Sequence, residues 1–501
     1  MQKSGLIRRS WGLSSLVNAL SERGIFSLLS NSKGNESFKG LASHSKCVEE
    51  GDLFLSQAGQ YSYVKEAMAR GAVAVITRCQ LACSIPQLVV PVPNFSEEVL
   101  NKLIYRDPSQ KLLVFGITGT KGKSTTAFFL RHLLQTQGIL SGLMGTIHYD
   151  NGRDKREAFL TTPNLSLQNK CMREMVENGC RAAVLEVSSH ALDQERVKEL
   201  SFHLALFTNL SHDHLDYHST MESYFMAKVK LFEQLSSFPC FDSSLLLSHS
   251  AVINGDDAYA KRMLTILPHI PLTYGIENTN VDLGVHFWRQ EERGIRGILF
   301  YRGTLYPFSS LLIGKHNLYN ALAATTLLLS LGIPLASILP FWKELPSVPG
   351  RLERFYHPKG VLIYVDFAHS PHALFSVLQS LSLKKRRRLI TLFGCGGERD
   401  IQKRPIMGKI AAQFSDLLIL TSDNSRSEST EEICKQIQEG IPAGFPLIFE
   451  EDRLCAIERA IGEAERGDCV LVAGRGHERV LTDQRGIHPF HDPSIIQTLC
   501  Q

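Results

Sequence analysis

Residues 116–126 read GITGTKGKSTT and have the glycines, the lysine and the hydroxyl side chains of a phosphate-binding loop at nearly the required spacing. The strict pattern would place one more glycine at position 117, where this chain has isoleucine. Lys123 is expected to reach the β- and γ-phosphates of a nucleotide, and Ser124 to offer a hydroxyl to Mg²⁺. Because an apolar strand pattern precedes the stretch and a helical pattern follows it, the sequence predicts nucleotide binding rather than an ordinary turn. The expected contacts are Gly119, Thr120, Lys121, Gly122, Lys123, Ser124 and Thr125.

A carboxylate and an imidazole follow two later apolar runs. Glu186 comes directly after RAAVL, and His214 lies in SHDHLDYH behind LALFTNL. We expect the two side chains at adjacent strand ends, where they could share one divalent ion. His212, His214 and His218 offer a zinc site as an alternative, but their spacing matches no standard site and a fourth ligand is missing. The nearby Asp213 and the phosphate loop favour magnesium with a nucleotide.

Strands and helices must position these groups. The chain has 501 residues, which is too long for one hydrophobic core and indicates several domains. A strand, helix, strand pattern between residues 40 and 90 predicts a first α/β unit, and the polar stretch YRDPSQK ends it. After a second break at 344–355, four strand-like runs with helical segments between them predict a doubly wound parallel sheet. The predicted domains are 1–110, 111–345 and 346–501.

Composition argues against several classes of protein. The formal net charge is only +4, which gives no reason to expect nucleic acid as a partner, and the basic run KKRRR at 384–388 is predicted to be a solvated loop. The eleven cysteines contain no C-x-x-C pair and are expected to be reduced thiols. No apolar run approaches the roughly eighteen residues of a membrane span, so no membrane insertion is expected. We predict a cytoplasmic protein and expect a monomer.

Several further motifs occur in order along the chain, and together with the phosphate loop they resemble those of the Mur ligases. They are TTP at 161–163, EVSSHAL at 186–192, TNLSHDHLDYH at 208–218, AKVKLF at 227–232, INGDD at 253–257, GKHNLYNALAA at 314–324, VPGRLE at 348–353, DFAHSP at 366–371 and GCGGERDIQKRP at 394–405. The Mur ligases are ATP-dependent enzymes that form the amide bonds of the peptidoglycan stem peptide. The resemblance covers nearly everything from residue 40 onward. It is greatest to the members that add the third amino acid to UDP-N-acetylmuramoyl-L-alanyl-D-glutamate.

The resemblance implies three α/β domains: an N-terminal UDP-binding domain, a central P-loop ATPase domain and a C-terminal, Rossmann-like doubly wound domain that brings the amino acid. It also implies that ATP phosphorylates the γ-carboxylate of the D-glutamyl residue and that the amine of the incoming amino acid attacks the acyl phosphate. Two Mg²⁺ ions would offset the negative charge gathered there. The implied catalytic residues are Lys123, Glu186, His214 and Lys228, with Ser124, Glu186 and His214 as metal ligands and Lys228 as a carbamylated lysine (N6-carboxylysine).

Other site residues follow from the same resemblance. Those implied for the nucleotide, besides the phosphate loop, are Asn254, Arg351 and Asp366. Those implied for the UDP-muramoyl dipeptide are Ser45, Thr161, Thr162, Ser188, Gln194 and Arg196. The first domain departs from the family pattern, because Lys46 stands where arginine is usual and the loop after Gly59 looks shortened.

The stretch SDNSRSE, at 422–428, bears on the choice of amino acid. Mur ligases that select meso-2,6-diaminopimelate have D-N-P-R here, whereas lysine-adding relatives lack the arginine. Meso-diaminopimelate differs from lysine by a second carboxylate, which a guanidinium can bind in a bidentate pair. Arg426 keeps that charge, although Ser425 replaces the proline, so meso-diaminopimelate is predicted and L-lysine is the alternative. The implied diaminopimelate-binding residues are Arg399, Asp423, Asn424, Arg426, Gly474 and Glu478.

Two other functions compete with the ligase. A folylpolyglutamate synthase would share the ATPase and C-terminal domains but would lack the UDP-binding domain, and the N-terminal stretch EGDLFLSQAG argues against it. A nucleotide-regulated binding protein would use the loop only to switch conformation. That function would leave Glu186, His214 and Lys228 without a role.

Overall fold

The structure is a computed structural model that describes residues 11–56, 60–90, 97–235, 250–267, 270–291, 294–383 and 387–501. Three large sheets follow one another along the chain, with five, eleven and six strands. Each sheet has a separate apolar cluster on each of its two faces, as expected when helices cover both. The predicted α/β class is therefore confirmed. The loop predicted at KKRRR and the loop after Gly59 lie partly outside the described residues.

The first sheet has the strand order β2-β7-β6-β5-β4, in which β4 to β7 are parallel and β2 is antiparallel to β7. Its side chains alternate between two apolar clusters: Leu53 and Leu55 lie on one face and Phe54 on the other. The elements are β1 (Trp11–Gly12), α1 (Leu13–Ser21), β2 (Leu28–Ser30), β3 (Ser37–Phe38), β4 (Gly40–Ala42), β5 (Asp52–Leu55), α2 (Tyr61–Ala69), β6 (Ala74–Thr77), β7 (Gln87–Val89) and α3 (Glu97–Tyr105).

The second sheet has the order β11-β10-β9-β12-β8-β13-β14-β15-β16-β17-β18, and its strands from β9 to β16 in that order are parallel. The elements up to β13 are β8 (Leu113–Thr118), α4 (Lys123–Thr136), β9 (Ser141–Met144), β10 (His148–Asp150), β11 (Lys155–Glu157), α5 (Leu165–Glu177), β12 (Ala182–Glu186), α6 (Ser189–Asp193) and β13 (Leu204–Phe207). Those after it are α7 (Leu215–His218), α8 (Met221–Glu233), β14 (Ala251–Asn254), α9 (Ala260–Ile266), β15 (Leu272–Gly275), β16 (Leu283–Glu291), β17 (Gly294–Tyr301), β18 (Thr304–Ser310), α10 (Lys315–Ser330) and α11 (Leu335–Ile338).

The third sheet has the order β19-β20-β24-β21-β22-β23 and is parallel except for β19. Its elements are β19 (Glu353–His357), β20 (Val361–Asp366), α12 (Pro371–Ser382), β21 (Leu389–Phe393), α13 (Lys403–Phe414), β22 (Leu417–Leu420), α14 (Thr430–Gln438), β23 (Leu447–Phe449), α15 (Arg453–Glu463) and β24 (Cys469–Ala473). A hairpin of β25 (Val480–Asp483) and β26 (Gly486–Pro489) follows, and α16 (Asp492–Leu499) ends the chain.

Among the described helices, none is both long and apolar enough to cross a membrane. In the described part of the chain, nine cysteines are free thiols: Cys47, Cys79, Cys83, Cys171, Cys180, Cys395, Cys434, Cys455 and Cys500.

Candidate active site

The phosphate loop lies between the end of β8 and the start of α4, which begins at Lys123. Gly119 and Gly122 have φ angles of +146° and +86°, which side chains with a Cβ rarely adopt. A Cβ on Gly119 would also collide with the Thr208 hydroxyl. That hydroxyl donates a hydrogen bond to the Lys121 carbonyl at 2.7 Å. The end of the neighbouring strand β13 therefore holds the loop in one conformation.

Lys123 is partly buried at the base of the loop. Its ammonium donates hydrogen bonds to the carbonyl oxygens of Gly119, at 2.8 Å, and Thr120, at 3.1 Å. Burial lowers the pKa of Lys123 from 10.5 to about 8, and Glu186 opposes part of that shift. A cation that is held only by neutral carbonyls can turn toward an anion when one binds.

Glu186 accepts three hydrogen bonds at the end of β12 and is fully buried. Its donors are the Ser124 hydroxyl at 2.8 Å, the Thr146 hydroxyl at 3.0 Å and the Thr146 backbone N–H at 3.0 Å. A carboxylate beside two hydroxyls is an oxygen-rich set of the kind that Mg²⁺ prefers, with phosphate oxygens and water completing the coordination. Ser124, Thr146 and Glu186 therefore fit Mg²⁺.

The expectation that Glu186 and His214 follow adjacent strands is wrong. Strands β12 and β13 lie on opposite sides of β8 rather than next to each other. The reason is that β8 pairs with both of them, so the phosphate loop leaves the sheet between the carboxylate and the imidazole. This order places the loop at the centre of the candidate site.

His214 has a left-handed backbone with a φ of +54°, and its imidazole is half-exposed. Burial lowers the pKa of His214, and the adjacent Asp213 opposes that shift. Asp213 Oδ2 forms an ion pair with Lys121 Nζ at 2.9 Å, which connects this segment to the phosphate loop. In the described residues, no three His, Cys, Asp or Glu side chains are placed to hold a metal ion, so the alternative zinc site of His212, His214 and His218 is not assembled.

Lys228 is buried on α8, with its ammonium nitrogen 4.3 Å from the centre of the Tyr224 ring. The Tyr224 hydroxyl lies 3.1 Å from that of Thr120 in the phosphate loop, so one aromatic side chain contacts both the lysine and the loop. Burial lowers the pKa of Lys228 well below its usual value, and Lys123 lowers it further. The amine is therefore easily neutralised at this position.

The residues predicted to contact the rest of the nucleotide lie on two domains. Asn254 ends β14, and its side-chain amide donates to the Thr208 carbonyl at 2.8 Å. Arg351 and Asp366 belong to the third sheet and its entry loop. Burial lowers the pKa of Arg351, which is close enough to Glu186 and Asp366 for both to oppose the shift. Burial raises the pKa of Asp366 to about 6. Arg351 therefore brings the third domain to the edge of the second.

Four of the residues predicted to bind the UDP-muramoyl dipeptide are connected beside Glu186. The Thr162 hydroxyl donates to the Glu186 carbonyl at 2.9 Å, and the Ser188 N–H donates to that hydroxyl at 3.0 Å. Arg196 donates to the Thr162 carbonyl at 3.1 Å and, through Nε, to Gln194 at 2.9 Å. These residues form one continuous wall next to the carboxylate.

The other two predicted dipeptide contacts lie differently. The Thr161 hydroxyl is 3.1 Å from that of Thr146, which places it on the same wall. Ser45 is far along the chain from Thr161. It lies buried in the 3₁₀ turn Ser45–Cys47 of the first domain. Its hydroxyl donates to Glu66 at 2.7 Å. The structure therefore does not bring Ser45 into hydrogen-bond contact with the other predicted dipeptide residues.

Four of the residues predicted to bind diaminopimelate follow two strands of the third sheet: Asp423 and Asn424 come after β22, and Gly474 and Glu478 after β24. Asn424 donates to Glu478 Oε2 at 2.9 Å. A Cβ on Gly474 would lie 2.7 Å from Asp423 Oδ2, so a glycine allows this close approach. Burial and Asp423 raise the pKa of Glu478.

Arg426 has a φ of +55° and donates one guanidinium hydrogen bond to the Gly397 carbonyl. Arg399 is exposed in the loop after β21. Its Cγ and Arg426 Nη1 lie 3.9 Å and 3.4 Å from the point that a Cβ on Gly396 would occupy. The two arginines therefore flank one loop.

A cleft of about 250 Å³ connects the two halves of the candidate site. Thr146 and Ile147 line it on the side of the second sheet. Asn424, His477 and Glu478 line it on the side of the third sheet. The cleft therefore runs from the oxygen-rich cluster around Glu186 to the residues predicted to bind the amino acid.

Sequence reasoning missed Thr146, Asp213 as the partner of Lys121, and Tyr224. Thr146 follows Gly145 directly after β9, and a Cβ on Gly145 would collide with Glu186. A glycine followed by a threonine at a strand end was the available signal. Tyr224 precedes Lys228 by one helical turn, which places both side chains on one face of α8.

Two family models match the chain: the Mur ligase middle domain over residues 117–328, and the Mur ligase glutamate ligase domain over residues 350–476. The chain is 38% identical over 468 residues to the UDP-N-acetylmuramoyl-L-alanyl-D-glutamate--2,6-diaminopimelate ligase of Aquifex aeolicus, with 92% of this chain and 93% of that relative covered. It is 40% identical over 447 residues to the ligase of the same name from Gloeobacter violaceus, with 88% and 89% covered.

Solved structures agree with the sequence matches. A solved ligase of that same name superimposes with a TM-score of 0.59 at 29% identity, covering 94% of this chain and 96% of its own. The relatives cover about nine-tenths of the chain, and the two family models include residues 117–126 of the phosphate loop and Arg426. The chain therefore belongs to the Mur ligase family.

Proposed function

We propose that this chain is an ATP-dependent ligase that joins meso-2,6-diaminopimelate to UDP-N-acetylmuramoyl-L-alanyl-D-glutamate, with release of ADP and phosphate. The observation that carries the proposal is the cleft between Thr146, beside Glu186, and the pair formed by Asn424 and Glu478. An acyl group activated at one end of this cleft can meet an amine bound at the other. Relatives with this activity in their names match about nine-tenths of the chain.

In the first step, a γ-carboxylate oxygen of the D-glutamyl residue attacks the γ-phosphorus of ATP, and the bond to the ADP oxygen breaks. The loop N–H groups and Lys123 face the triphosphate, and Arg351 approaches the same region from the third domain. Ser124 and Glu186, with His214 as the family resemblance implies, would hold Mg²⁺, which would supply positive charge between the two anions.

Lys228 is proposed to act as a carbamate. Carbamate formation joins the neutral amine nitrogen to CO₂ and releases a proton, so it requires an amine that loses its proton easily. The lowered pKa of the buried Lys228 meets that requirement. A positive lysine beside Lys123 would repel Mg²⁺, whereas a carbamate carries negative charge to the same place.

In the second step, the amine of the amino acid attacks the acyl carbon, the bond to phosphate breaks, and the nitrogen loses a proton. Glu478 is proposed to bind the distal ammonium group, with Asn424 and Asp423 beside it. Arg426 is proposed to bind the distal carboxylate, with Arg399 on the same loop. The substrate would then lie along the cleft with its reactive amine toward Thr146.

We assign the three domains accordingly: residues 1–110 to UDP binding, 111–345 to ATP binding and 346–501 to amino-acid binding. The five-stranded first sheet supports this assignment, because a folylpolyglutamate synthase would have no use for such a domain. The cytoplasm is the proposed compartment, since the free cysteines fit a reducing environment. We also propose that the enzyme acts as a monomer and without nucleic acid.

The test is to incubate the protein with ATP, Mg²⁺ and the UDP-linked dipeptide, with either meso-diaminopimelate or L-lysine, and to determine the mass of the product. A product that contains diaminopimelate is expected. A product with lysine alone would refute the choice of amino acid. Nucleotide binding without turnover would instead favour a conformational switch. A parallel incubation with a folate and L-glutamate in place of these substrates tests the synthase, and turnover only there would favour it.

The role of Arg426 is tested by Arg426→Ala, with Arg459→Ala on the exposed face of α15 as the matched control. Loss of a bidentate charged contact should raise the KM for meso-diaminopimelate by roughly 10- to 100-fold and leave the KM for ATP nearly unchanged. Arg459→Ala should change neither. An unaltered KM for diaminopimelate in Arg426→Ala would remove Arg426 from the site.

A further inference from the structure

Arg475 is a fully buried cation directly behind the proposed amino-acid site. One guanidinium nitrogen donates to Asn424 Oδ1 at 3.0 Å. The other donates to the Val480 carbonyl at 2.6 Å and to the Phe490 carbonyl at 3.4 Å. The guanidinium therefore connects a side chain of the site with the backbone of a separate segment.

The contact with Asn424 fixes the orientation of its amide. Asn424 Oδ1 accepts from Arg475 and also from the Thr482 N–H, at 2.9 Å. The oxygen thus faces two donors, so the nitrogen must face Glu478, to which it donates at 2.9 Å. Arg475 in this way determines which group Asn424 presents toward the cleft.

The contacts with Val480 and Phe490 hold the two ends of the hairpin β25–β26 together. This hairpin supports Arg426, whose backbone N–H donates to the Thr482 carbonyl at 3.1 Å. Arg426 has a left-handed φ of +55°, which costs free energy for a side chain with a Cβ and needs such support. The position of Arg426 therefore depends on the hairpin, and the hairpin on Arg475.

Arg475 also lies within ion-pair distance of two carboxylates of the site. It lies 3.7 Å from Glu478 Oε2 and 3.8 Å from Asp423 Oδ1. Burial and Asp423 raise the pKa of Glu478, and Arg475 opposes both effects. The guanidinium thus favours the ionised Glu478 that an ammonium group requires.

We propose that Arg475 is a positioning residue that makes the enzyme selective for diaminopimelate over lysine, acting through Asn424 and through the hairpin that supports Arg426. The inference rests on the proposed function, because it concerns the same amino-acid site. Arg475 does not touch the amino acid. Its effect on selectivity comes from Arg426, because lysine has no second carboxylate for Arg426 to bind.

The experiment compares Arg475→Met and Arg475→Lys with the wild-type enzyme, using ATP, the UDP-linked dipeptide, meso-diaminopimelate and L-lysine. Arg475→Met should raise the KM for diaminopimelate by roughly 10- to 100-fold, with KM values for ATP and the UDP-linked dipeptide within about twofold of wild type. The ratio of kcat/KM for diaminopimelate to that for lysine should fall at least about tenfold. Arg475→Lys should show a smaller loss, since one ammonium keeps the charge but cannot reproduce the planar set of donors.

Arg388→Met is the matched control, because Arg388 pairs with the buried Asp468 at the amino ends of β21 and β24, whereas the proposed site lies beyond the carboxyl ends of the same sheet. Arg388→Met should lower the free energy of unfolding without changing the ratio of kcat/KM for diaminopimelate to that for lysine. If all three KM values rise together in Arg475→Met, or if selectivity is unchanged in a folded Arg475→Lys, the inference is wrong. Should Arg475→Met fail to fold, Arg475→Lys alone decides. A wild-type enzyme that does not use diaminopimelate would instead refute the proposed function.

Discussion

Lys123 should make the capture of ATP sensitive to alkaline pH. Burial lowers its pKa from 10.5 to about 8, whereas an exposed lysine keeps its proton throughout the range in which the enzyme is assayed. Above pH 8, the free enzyme then holds a neutral amine where the triphosphate needs an ammonium. Since kcat/KM reports the ionisation of the free enzyme, kcat/KM for ATP should fall as the pH rises through about 8.

The size of the effect follows from the titration of a single group. One pH unit above the pKa, roughly one-tenth of the molecules keep the proton, so kcat/KM for ATP at pH 9 should be about tenfold below its value at pH 7. Bound triphosphate favours the charged lysine and raises its pKa. The fall in kcat at saturating ATP should therefore occur at higher pH than the fall in kcat/KM.

The assay is a pH profile of phosphate release from pH 6.5 to 9.5 at constant ionic strength, with Lys123→Arg as the matched variant. A guanidinium stays protonated across this range, so the variant should be less active but should lack the alkaline fall. The same fall in Lys123→Arg would assign the titration to another group. A wild-type kcat/KM that is flat up to pH 9.5 would refute the burial argument itself.

Three further changes test other parts of the structure. Gly119→Ala should raise the KM for ATP at least about tenfold while the circular dichroism spectrum stays unchanged, because the added Cβ would require a strained φ of +146°. Lys228→Ala should lose at least roughly 100-fold in kcat and regain part of it with added acetate or formate, which the wild type should ignore. Lys170→Met should cost about 3–5 kcal/mol in the free energy of unfolding, measured in urea, because it leaves the buried Asp52 carboxylate, 2.9 Å from the lysine nitrogen, without its partner. Adding Asp52→Leu to Lys170→Met should restore most of that loss.

The phosphate loop could be predicted because its chemistry is concentrated in contiguous residues. The glycines, Lys123 and Ser124 follow one another, and an apolar strand pattern before them fixes where the loop leaves the sheet. The α/β class was predictable for a similar reason, since runs such as LITLF and CVLVA are almost entirely apolar, as is typical of parallel strands buried on both faces.

The order of the strands was not predictable in the same way. Glu186 and His214 both follow apolar runs, but nothing local to either run says that β8 separates them. Strand order depends on which strands pair in three dimensions. The prediction of adjacent ends failed because it used the order along the chain in place of the order in the sheet.

Contacts between residues far apart along the chain were also beyond prediction. Thr146 lies 40 residues from Glu186, and Asp213 lies 92 residues from Lys121. A threonine or an aspartate by itself has many ordinary structural uses. Its place beside a particular partner becomes meaningful only when the sheet brings both to one edge.

The lowered pKa values explain why this site can accept so much negative charge. Burial lowers the pKa of Lys123, Lys228 and Arg351 in the nucleotide-free protein, which means that each charged form is held there at a free-energy cost. A triphosphate and a carboxylate would remove that cost, since each buried cation would gain an anionic neighbour. The same electrostatics would favour a carbamate on Lys228 over an ammonium, because the carbamate exchanges repulsion by Lys123 for attraction. In the proposed function, these cations would thus bind the substrates and also favour the modification of Lys228.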